Sequence, residues 1–222
     1  MFSREEKRFL VLVFVVVLLS GFGLFGRMYI KATESAPEVG GSYTEGIIGE
    51  PHIINPLYAT RDGERDIARL VFSGLFTYDG GGKIKTDLAD HYEITEDAKT
   101  YTVWMRRDAS WHDGENVTAE DVLFTIKTIQ NAAYKSPLRI NWQGVRVEKI
   151  DEYTLQFTLP SPYTPFIENL SIGILPKHLW EGVTPDQVTL HKLNMQPVGS
   201  GPYISDGFRQ NRDGTILSYS LA

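Results

Sequence analysis

One short stretch of the 222-residue chain combines the groups needed for acid–base chemistry. His112 stands beside Asp113, and Glu120 and Asp121 follow closely. An imidazole next to carboxylates can act as a general base or bind a metal ion. The same residues have a structural interpretation, because Asp113-Gly114 is a common turn dipeptide and acidic residues stabilise the start of a helix. We predict the structural role and keep a hydrolase that uses His112 and Asp113 as an alternative.

No other stretch forms a recognisable catalytic or metal-binding pattern. Gly199-Ser200-Gly201 is not the G-x-S-x-G pattern of a nucleophile elbow, so we expect a tight turn or a close backbone approach there. The chain has no cysteine, which excludes disulfides, thiol nucleophiles and Cys-ligated zinc. The remaining histidines lack H-E-x-x-H or H-x-H spacing: His52, His91, His178 and His191. The sequence therefore predicts a binding protein that is not an enzyme and has no cofactor or metal ion.

The overall composition is that of a globular protein. Hydrophobic residues make up 42% of the chain, aromatic residues 12% and charged residues 23%, which excludes a disordered or coiled-coil chain. The formal net charge is −6. Because nucleic-acid binding requires a basic surface, we do not expect a nucleic acid as partner.

The amino terminus has the features of a membrane segment. Residues 1–31 carry five basic residues, and the eighteen residues between Arg8 and Arg27 are uncharged. As a helix this run would extend for about 27 Å, close to the thickness of a bilayer core. Phe22 stands where a bacterial lipoprotein has its lipidated cysteine. We predict an uncleaved anchor over residues 1–31, with a cleaved signal segment as the alternative, and a flexible linker over residues 32–42.

Two helices are predicted in the remaining chain. Apolar residues recur every three to four positions in Arg65–Phe76, as they do on the buried face of a helix. Ala119–Asn131 shows the same spacing. The start of this second helix is marked by Thr118, which can cap it, and by Asp121 three residues later.

Several strands are predicted around these helices. Polar and apolar residues alternate in Thr100–Arg106 and in Thr154–Leu159, which is typical of strands with one buried face. Asp79–Gly82 is a turn, and Asn211–Gly214 connects two apolar segments as in a hairpin. Helices and adjacent antiparallel strands together predict an α+β (mixed α/β) fold.

Short motifs in a fixed order resemble those of one family. They are Gly49-Glu50-Pro51, Asn55-Pro56-Leu57, Val71–Asp79, Asp87-Leu88-Ala89-Asp90, Tyr101–Asp108, Trp111-His112-Asp113-Gly114, Thr118–Val122, Asp151–Leu155 and Pro197–Tyr203. The set is similar to the extracytoplasmic solute-binding proteins of ABC importers, family 5, which includes dipeptide-, oligopeptide- and nickel-binding members. The chain departs from the family pattern at Asn55, where Asp is usual, and at Ser200, where Thr is usual.

The resemblance implies a division of the chain. Residues 43–222 would form part of a solute-binding domain with a periplasmic-binding-protein-like lobe. That first lobe would comprise residues 43–60 and 171–222, with an inserted subdomain over residues 61–170. Members of the family are more than twice as long as this chain. We therefore expect an N-terminal fragment that lacks the second lobe of the ligand clamp.

The resemblance also implies a function. We expect the substrate-binding component of an ABC importer, which captures peptides or a similar small solute outside the cytoplasmic membrane and delivers them to permease and ATPase subunits. A membrane-anchored sensor or adhesion module built on the same lobe is the alternative. The residues expected to border the ligand cleft, or only to shape its turns, are Glu50, Pro51, Ile54, Asn55, Gly201, Pro202 and Tyr203.

Overall fold

A computed structural model describes residues 4–32 and 40–222. It divides the chain into two compact units, with the boundary between Gly46 and Ile47. The first unit contains helix α1 (Arg4–Ala32), whose described apolar side chains are exposed. Among the described residues, no helix combines the length and the apolar character needed to cross a membrane. The anchor over residues 1–31 stays a prediction, and most of the predicted linker 32–42 lies outside the described residues.

The second unit, residues 47–222, contains four α-helices and eight strands among its described residues, apart from short 3-10 turns. The helices are α2 (Asp62–Val71), α3 (Ala119–Gln130), α4 (Phe166–Asn169) and α5 (Lys177–Trp180). The strands are β1 (Phe76–Tyr78), β2 (Ile84–Thr86), β3 (Ala89–Ile94), β4 (Thr100–Met105), β5 (Arg146–Asp151), β6 (Thr154–Thr158), β7 (Ser205–Gln210) and β8 (Ile216–Leu221). All strand pairs are antiparallel.

The four-stranded sheet has the order β3-β4-β6-β5. Helix α3 packs against β5 and β6, so one face of the sheet forms the core. Along β4 the buried residues alternate with more exposed ones, which is the period of a strand with one covered face. The predicted strands are confirmed, since the side chains expected inside are buried: Tyr101, Val103, Met105, Leu155, Phe157 and Leu159.

The predicted capping of α3 is confirmed. The Thr118 hydroxyl accepts a hydrogen bond from the backbone N–H of Glu120 at 3.3 Å. The Asp121 carboxylate accepts one from the N–H of Thr118 at 2.8 Å, which completes a capping box. Its other oxygen accepts from the N–H of Lys177 at 2.9 Å, so the same buried carboxylate also joins α3 to the start of α5.

The predicted helix Arg65–Phe76 is wrong at both ends. The observed α2 begins at Asp62 and ends at Val71. It begins earlier because the Glu64 carboxylate accepts a hydrogen bond from the backbone N–H of Arg61 and stabilises the first turn. After Val71 the chain becomes extended, and the apolar residues that follow are buried around β1 instead of on a helix face.

The predicted hairpin at Asn211–Gly214 is confirmed as the connection between β7 and β8. The side-chain oxygen of Asn211 accepts hydrogen bonds from the N–H groups of Asp213 at 3.0 Å and Thr215 at 2.8 Å. This is the local bonding by which Asn favours turns. Helices and antiparallel sheets in one unit also confirm the mixed α+β fold class.

Candidate functional site

The residues Gly199–Tyr203, which we name the site loop, lie against the carboxyl end of α2. The N–H of Gly201 donates to the carbonyl of Val71 at 2.8 Å, and the N–H of Tyr203 donates to that of Leu70 at 3.1 Å. These carbonyls belong to the last turn of a helix, where no partner within the helix is available. The site loop therefore completes the hydrogen bonding of α2.

Both glycines of the site loop are required by this close approach. A Cβ atom on Gly199 would overlap the carbonyl oxygen of Val71, and one on Gly201 would lie 2.6 Å from that of Leu70. Neither glycine has a positive φ angle, so the requirement is for space and not for backbone freedom. The predicted close backbone approach at Gly199-Ser200-Gly201 is confirmed.

His112 bonds to the site loop through its backbone and through its imidazole. Its backbone N–H donates to the carbonyl of Gly199 at 2.8 Å. Its imidazole Nε2 lies 2.9 Å from the carbonyl oxygen of Gly201, and its Nδ1 accepts from the N–H of Gly199 at 3.3 Å. The site loop is thus held between His112 and α2.

Glu50 belongs to the segment with the other predicted site residues, and it bonds to residues distant from it in the sequence. The Glu50 carboxylate accepts a hydrogen bond from the N–H of Ile216 at 2.7 Å, and its backbone carbonyl accepts from the Arg61 guanidinium at 3.0 Å. Glu50 and Pro51 are partly exposed. They are therefore accessible at the surface of the described unit.

Ile54 and Asn55 have no exposed surface. The N–H of Ile54 donates to the carbonyl of Asn194 at 2.7 Å. The Asn55 side chain bonds to that of Asn194 at 3.1 Å and accepts from the N–H of Leu57 at 3.0 Å. These contacts use the Asn55 side chain to fix the surrounding backbone.

Glu64 is a buried residue that the sequence motifs do not single out. Its carboxylate accepts hydrogen bonds from the N–H groups of His52, Thr60 and Arg61 at 3.1, 3.3 and 3.3 Å. Burial raises the pKa of the Glu64 carboxyl, but these backbone bonds outweigh burial and hold the pKa below its ordinary value of 4.5. Glu64 therefore fixes the chain beyond Glu50 and Pro51 onto α2.

An open groove of about 940 Å³ runs beside the site loop. Gly201 and Pro202 line it, as do residues from α2 and β1, from residues 138–142 and from residues 168–173. Charged groups of both signs reach the groove, together with large aromatic side chains: Arg65, Arg69, Asp87, Glu168, Phe72, Tyr78 and Trp142. Such a surface can bind a polar ligand that carries apolar side chains.

The carboxylates of Asp113 and Glu120, in the acid–base stretch of the sequence, bond to partners other than His112. Asp113 pairs instead with His178, at 2.8 Å. Partial burial raises the pKa of Asp113, but the hydrogen bonds from His178 and from the backbone N–H of Glu115 together hold the pKa below its ordinary value of 3.8. Glu120 forms ion pairs with Lys149 and Lys177. Within residues 4–32 and 40–222, no three His, Asp or Glu side chains are grouped as a metal site would require.

Comparisons with known proteins identify relatives. The sequence model of the bacterial extracellular solute-binding proteins, family 5, middle region, matches residues 83–217. The oligopeptide-binding protein AppA of Bacillus subtilis is 31% identical over 186 residues, which cover 82% of this chain and 34% of the relative. The chain thus spans about a third of the length of the curated relatives it matches.

Solved structures share the fold. The structure of AppA from Bacillus subtilis with a nonapeptide superposes with a TM-score of 0.70 at 31% identity, covering 74% of this chain and 34% of that one. NikZ from Campylobacter jejuni with Ni(L-His) has a TM-score of 0.67 at 34% identity, covering 73% and 32%. The fold is thus that of known solute-binding proteins, and the chain belongs to the bacterial extracellular solute-binding proteins of family 5.

Proposed function

We propose that the protein is the substrate-binding component of an ABC importer and captures peptides outside the cytoplasmic membrane. The observation that carries this proposal is the groove bordered by the site loop in a chain of the solute-binding family. Its volume of about 940 Å³ lies in the range of pockets that bind small ligands.

Peptide is the ligand class that the groove and the relatives favour. The AppA relative is an oligopeptide-binding protein, and its structure holds a nonapeptide. A peptide has amide groups that can pair with exposed backbone and side chains that can enter an apolar groove. The charges of both signs at Arg69 and Glu168 would also suit the two termini of a short peptide.

The rim of this site would be formed by Glu50, Pro51, Pro202 and Tyr203. All four are at least partly exposed, and Tyr203 has 45% of its surface exposed. Gly201 would contribute backbone at the groove. Ile54 and Asn55 would support the rim from the core, because neither has exposed surface with which to contact a ligand.

The proposed mechanism is a clamp. Residues 43–60 and 171–222 would form part of one lobe, with residues 61–170 as its inserted subdomain. A second lobe would close over the peptide, and the closed form would be stabilised by its higher affinity for the ligand. The closed protein would then deliver the peptide to permease and ATPase subunits.

The N-terminal segment would attach the protein to the membrane with its binding domain on the extracytoplasmic face. The support is the charge-free run of eighteen residues from Phe9 to Gly26. Membrane fractionation with intact-mass measurement tests this. A protein that sediments with membranes at its full precursor mass supports the anchor, and a new N-terminus between residues 20 and 42 contradicts it.

Calorimetric titration of the full-length protein tests the ligand. The panel comprises dialanine, trialanine, a nonapeptide, and Ni²⁺ with L-histidine, the ligand named for NikZ. Saturable binding of at least one peptide supports the proposal. Binding of Ni²⁺ with L-histidine alone would replace peptide with a metal complex as the solute, and no binding of any panel member would contradict the proposed function.

A further inference from the structure

We propose that His112 is a positioning residue for the ligand site, which it serves by fixing the site loop through both nitrogens of a neutral imidazole. The inference rests on the proposed function, since it assumes that the site loop borders the bound ligand. His112 itself does not line the groove. It would act through Gly199 and Gly201, to both of which its imidazole bonds.

The hydrogen-bond partners define one tautomer of His112. The backbone N–H of Gly199 can only donate, so the Nδ1 atom that it meets at 3.3 Å must be an unprotonated acceptor. The carbonyl of Gly201 can only accept, so the Nε2 atom at 2.9 Å from it must carry the proton. One neutral imidazole thereby satisfies two groups of the site loop, two residues apart.

Both backbone polar groups of Gly201 are bonded as a result. Its N–H donates to Val71 of α2 at 2.8 Å, and its carbonyl accepts from His112. The next residues, Pro202 and Tyr203, are exposed. A shift of the Gly201 peptide would therefore move the exposed residues that are proposed to meet the ligand, while the core beneath would keep its packing.

The sequence around His112 is built to hold the imidazole in place. Trp111 is buried, and its backbone N–H donates to the carbonyl of Glu115 across the turn at 2.8 Å. The carboxylate of the neighbouring Asp113 pairs with His178, so it does not occupy the His112 ring, which bonds to the site loop. The imidazole therefore reaches the site loop from a short turn with its own anchors.

Spectroscopy of the full-length protein tests the tautomer directly. With ¹⁵N-labelled histidine, we expect NMR to report protonated Nε2 and unprotonated Nδ1 for His112 at neutral pH, with assignment by loss of the signal in His112→Ala. A neutral ring protonated at Nδ1 would overturn the proposal, because it could not accept from Gly199.

Amide hydrogen exchange tests the positioning and does not require a ligand. In His112→Ala we expect the amides of Gly199, Gly201 and Tyr203 to exchange about tenfold faster or more, while those of α3 stay protected. His112→Asn can restore an acceptor for Gly199, and His112→Gln can restore a donor for Gly201. His91→Ala removes an exposed histidine on β3 and serves as the matched control. Equal acceleration throughout the protein, or none in the site loop, would overturn the proposal.

Trialanine binding connects this role to the ligand site. We expect the dissociation constant to rise about tenfold in His112→Ala, the equivalent of one hydrogen bond, to recover in part in His112→Asn or His112→Gln, and to stay unchanged in His91→Ala. An unchanged constant in a His112→Ala variant with a loosened loop would overturn the role in binding. If the wild-type protein binds another peptide of the panel but not trialanine, the same comparison is made with that peptide. Failure of the wild-type protein to bind any panel peptide would count against the proposed function, and the tautomer and exchange results would still decide whether His112 positions the loop.

Discussion

Two regions of the molecule are held together by different interactions. One is the four-stranded sheet with its helix α3, and the other is the site loop. In the sheet, β3 pairs with β4 and β5 pairs with β6, which are consecutive strands, and β4 pairs with β6 across the intervening α3 and β5. The site loop is instead held by His112, 87 residues away from Gly199, and by the end of α2. The first region depends on buried apolar area and the second on backbone hydrogen bonds at close range. Stability and ligand binding should therefore respond differently to substitutions in the two regions.

The largest expected effect on stability is in the sheet. Leu155 on β6 has no exposed surface. Leu155→Ala should lower the free energy of unfolding by about 4 kcal/mol, because it removes buried methyl groups and leaves a cavity. Chemical denaturation measures this, with exposed Glu148→Ala on β5 as the control. A loss no greater than that of the control would contradict the assignment of Leu155 to the core.

Compared with Leu155→Ala, a substitution in the site loop should have a smaller effect on stability and a larger effect on peptide binding. Gly199→Ala should lower the free energy of unfolding by about 3 kcal/mol, because its Cβ would overlap the Val71 carbonyl and push the loop away from α2. Peptide titration of the folded variant should show weakened binding. Gly80→Ala, where a Cβ would meet nothing within 4 Å, is the control. Unchanged peptide binding in Gly199→Ala would contradict the proposal that the site loop borders the bound ligand.

Acid should weaken the attachment of the rim segment to α2. Because the pKa of Glu64 is lowered in the folded state, its contribution to stability is present above the ordinary value of 4.5 and is lost as the pH falls through the folded-state pKa. Glu64→Gln should therefore destabilise the protein at pH 7, and its difference from wild type should shrink at acidic pH. Denaturation at several pH values, with Glu148→Gln as the control, measures this. A difference that is independent of pH would contradict the role of the charge.

The smallest effect, and one of opposite sign, is expected at Ser200. Its hydroxyl is buried and has no hydrogen-bond partner among the described residues. Ser200→Ala should raise the free energy of unfolding by about 1 kcal/mol, because it removes a buried polar group that is not paired. Thermal or chemical denaturation checks the sign. A loss of stability would show that the hydroxyl has a partner in solution.

The local elements could be predicted from the sequence, whereas the contacts of the site could not. Alternation in β4 and the Thr118–Asp121 capping box are properties of neighbouring residues, and both predictions are confirmed. The predicted extent of α2 is wrong, because the apolar spacing continues beyond Val71 although the chain becomes extended there. The motif at Trp111–Gly114 was noticed for its chemistry, but nothing near it in the sequence indicates that His112 meets Gly199.

The residues predicted to border the ligand cleft differ in where they lie, and their contact with a ligand stays a prediction. Gly201 and Pro202, taken from the family motif, do line the groove. Ile54 and Asn55 came from the same kind of motif and are buried, because a motif marks positions without saying which side of the backbone faces the surface. Glu64 shows no motif, since its role depends on three backbone groups that meet it only in the folded chain.

The placement of the ligand site is best tested by amide hydrogen exchange of the full-length protein with and without the panel peptide that binds most tightly. We expect the peptide to slow exchange at residues 47–52 and 199–203, which contain the proposed rim, and to leave exchange in β3–β6 unchanged. Protection confined to β3–β6, or no protection in residues 47–222, would contradict the placement of the ligand site at the site loop.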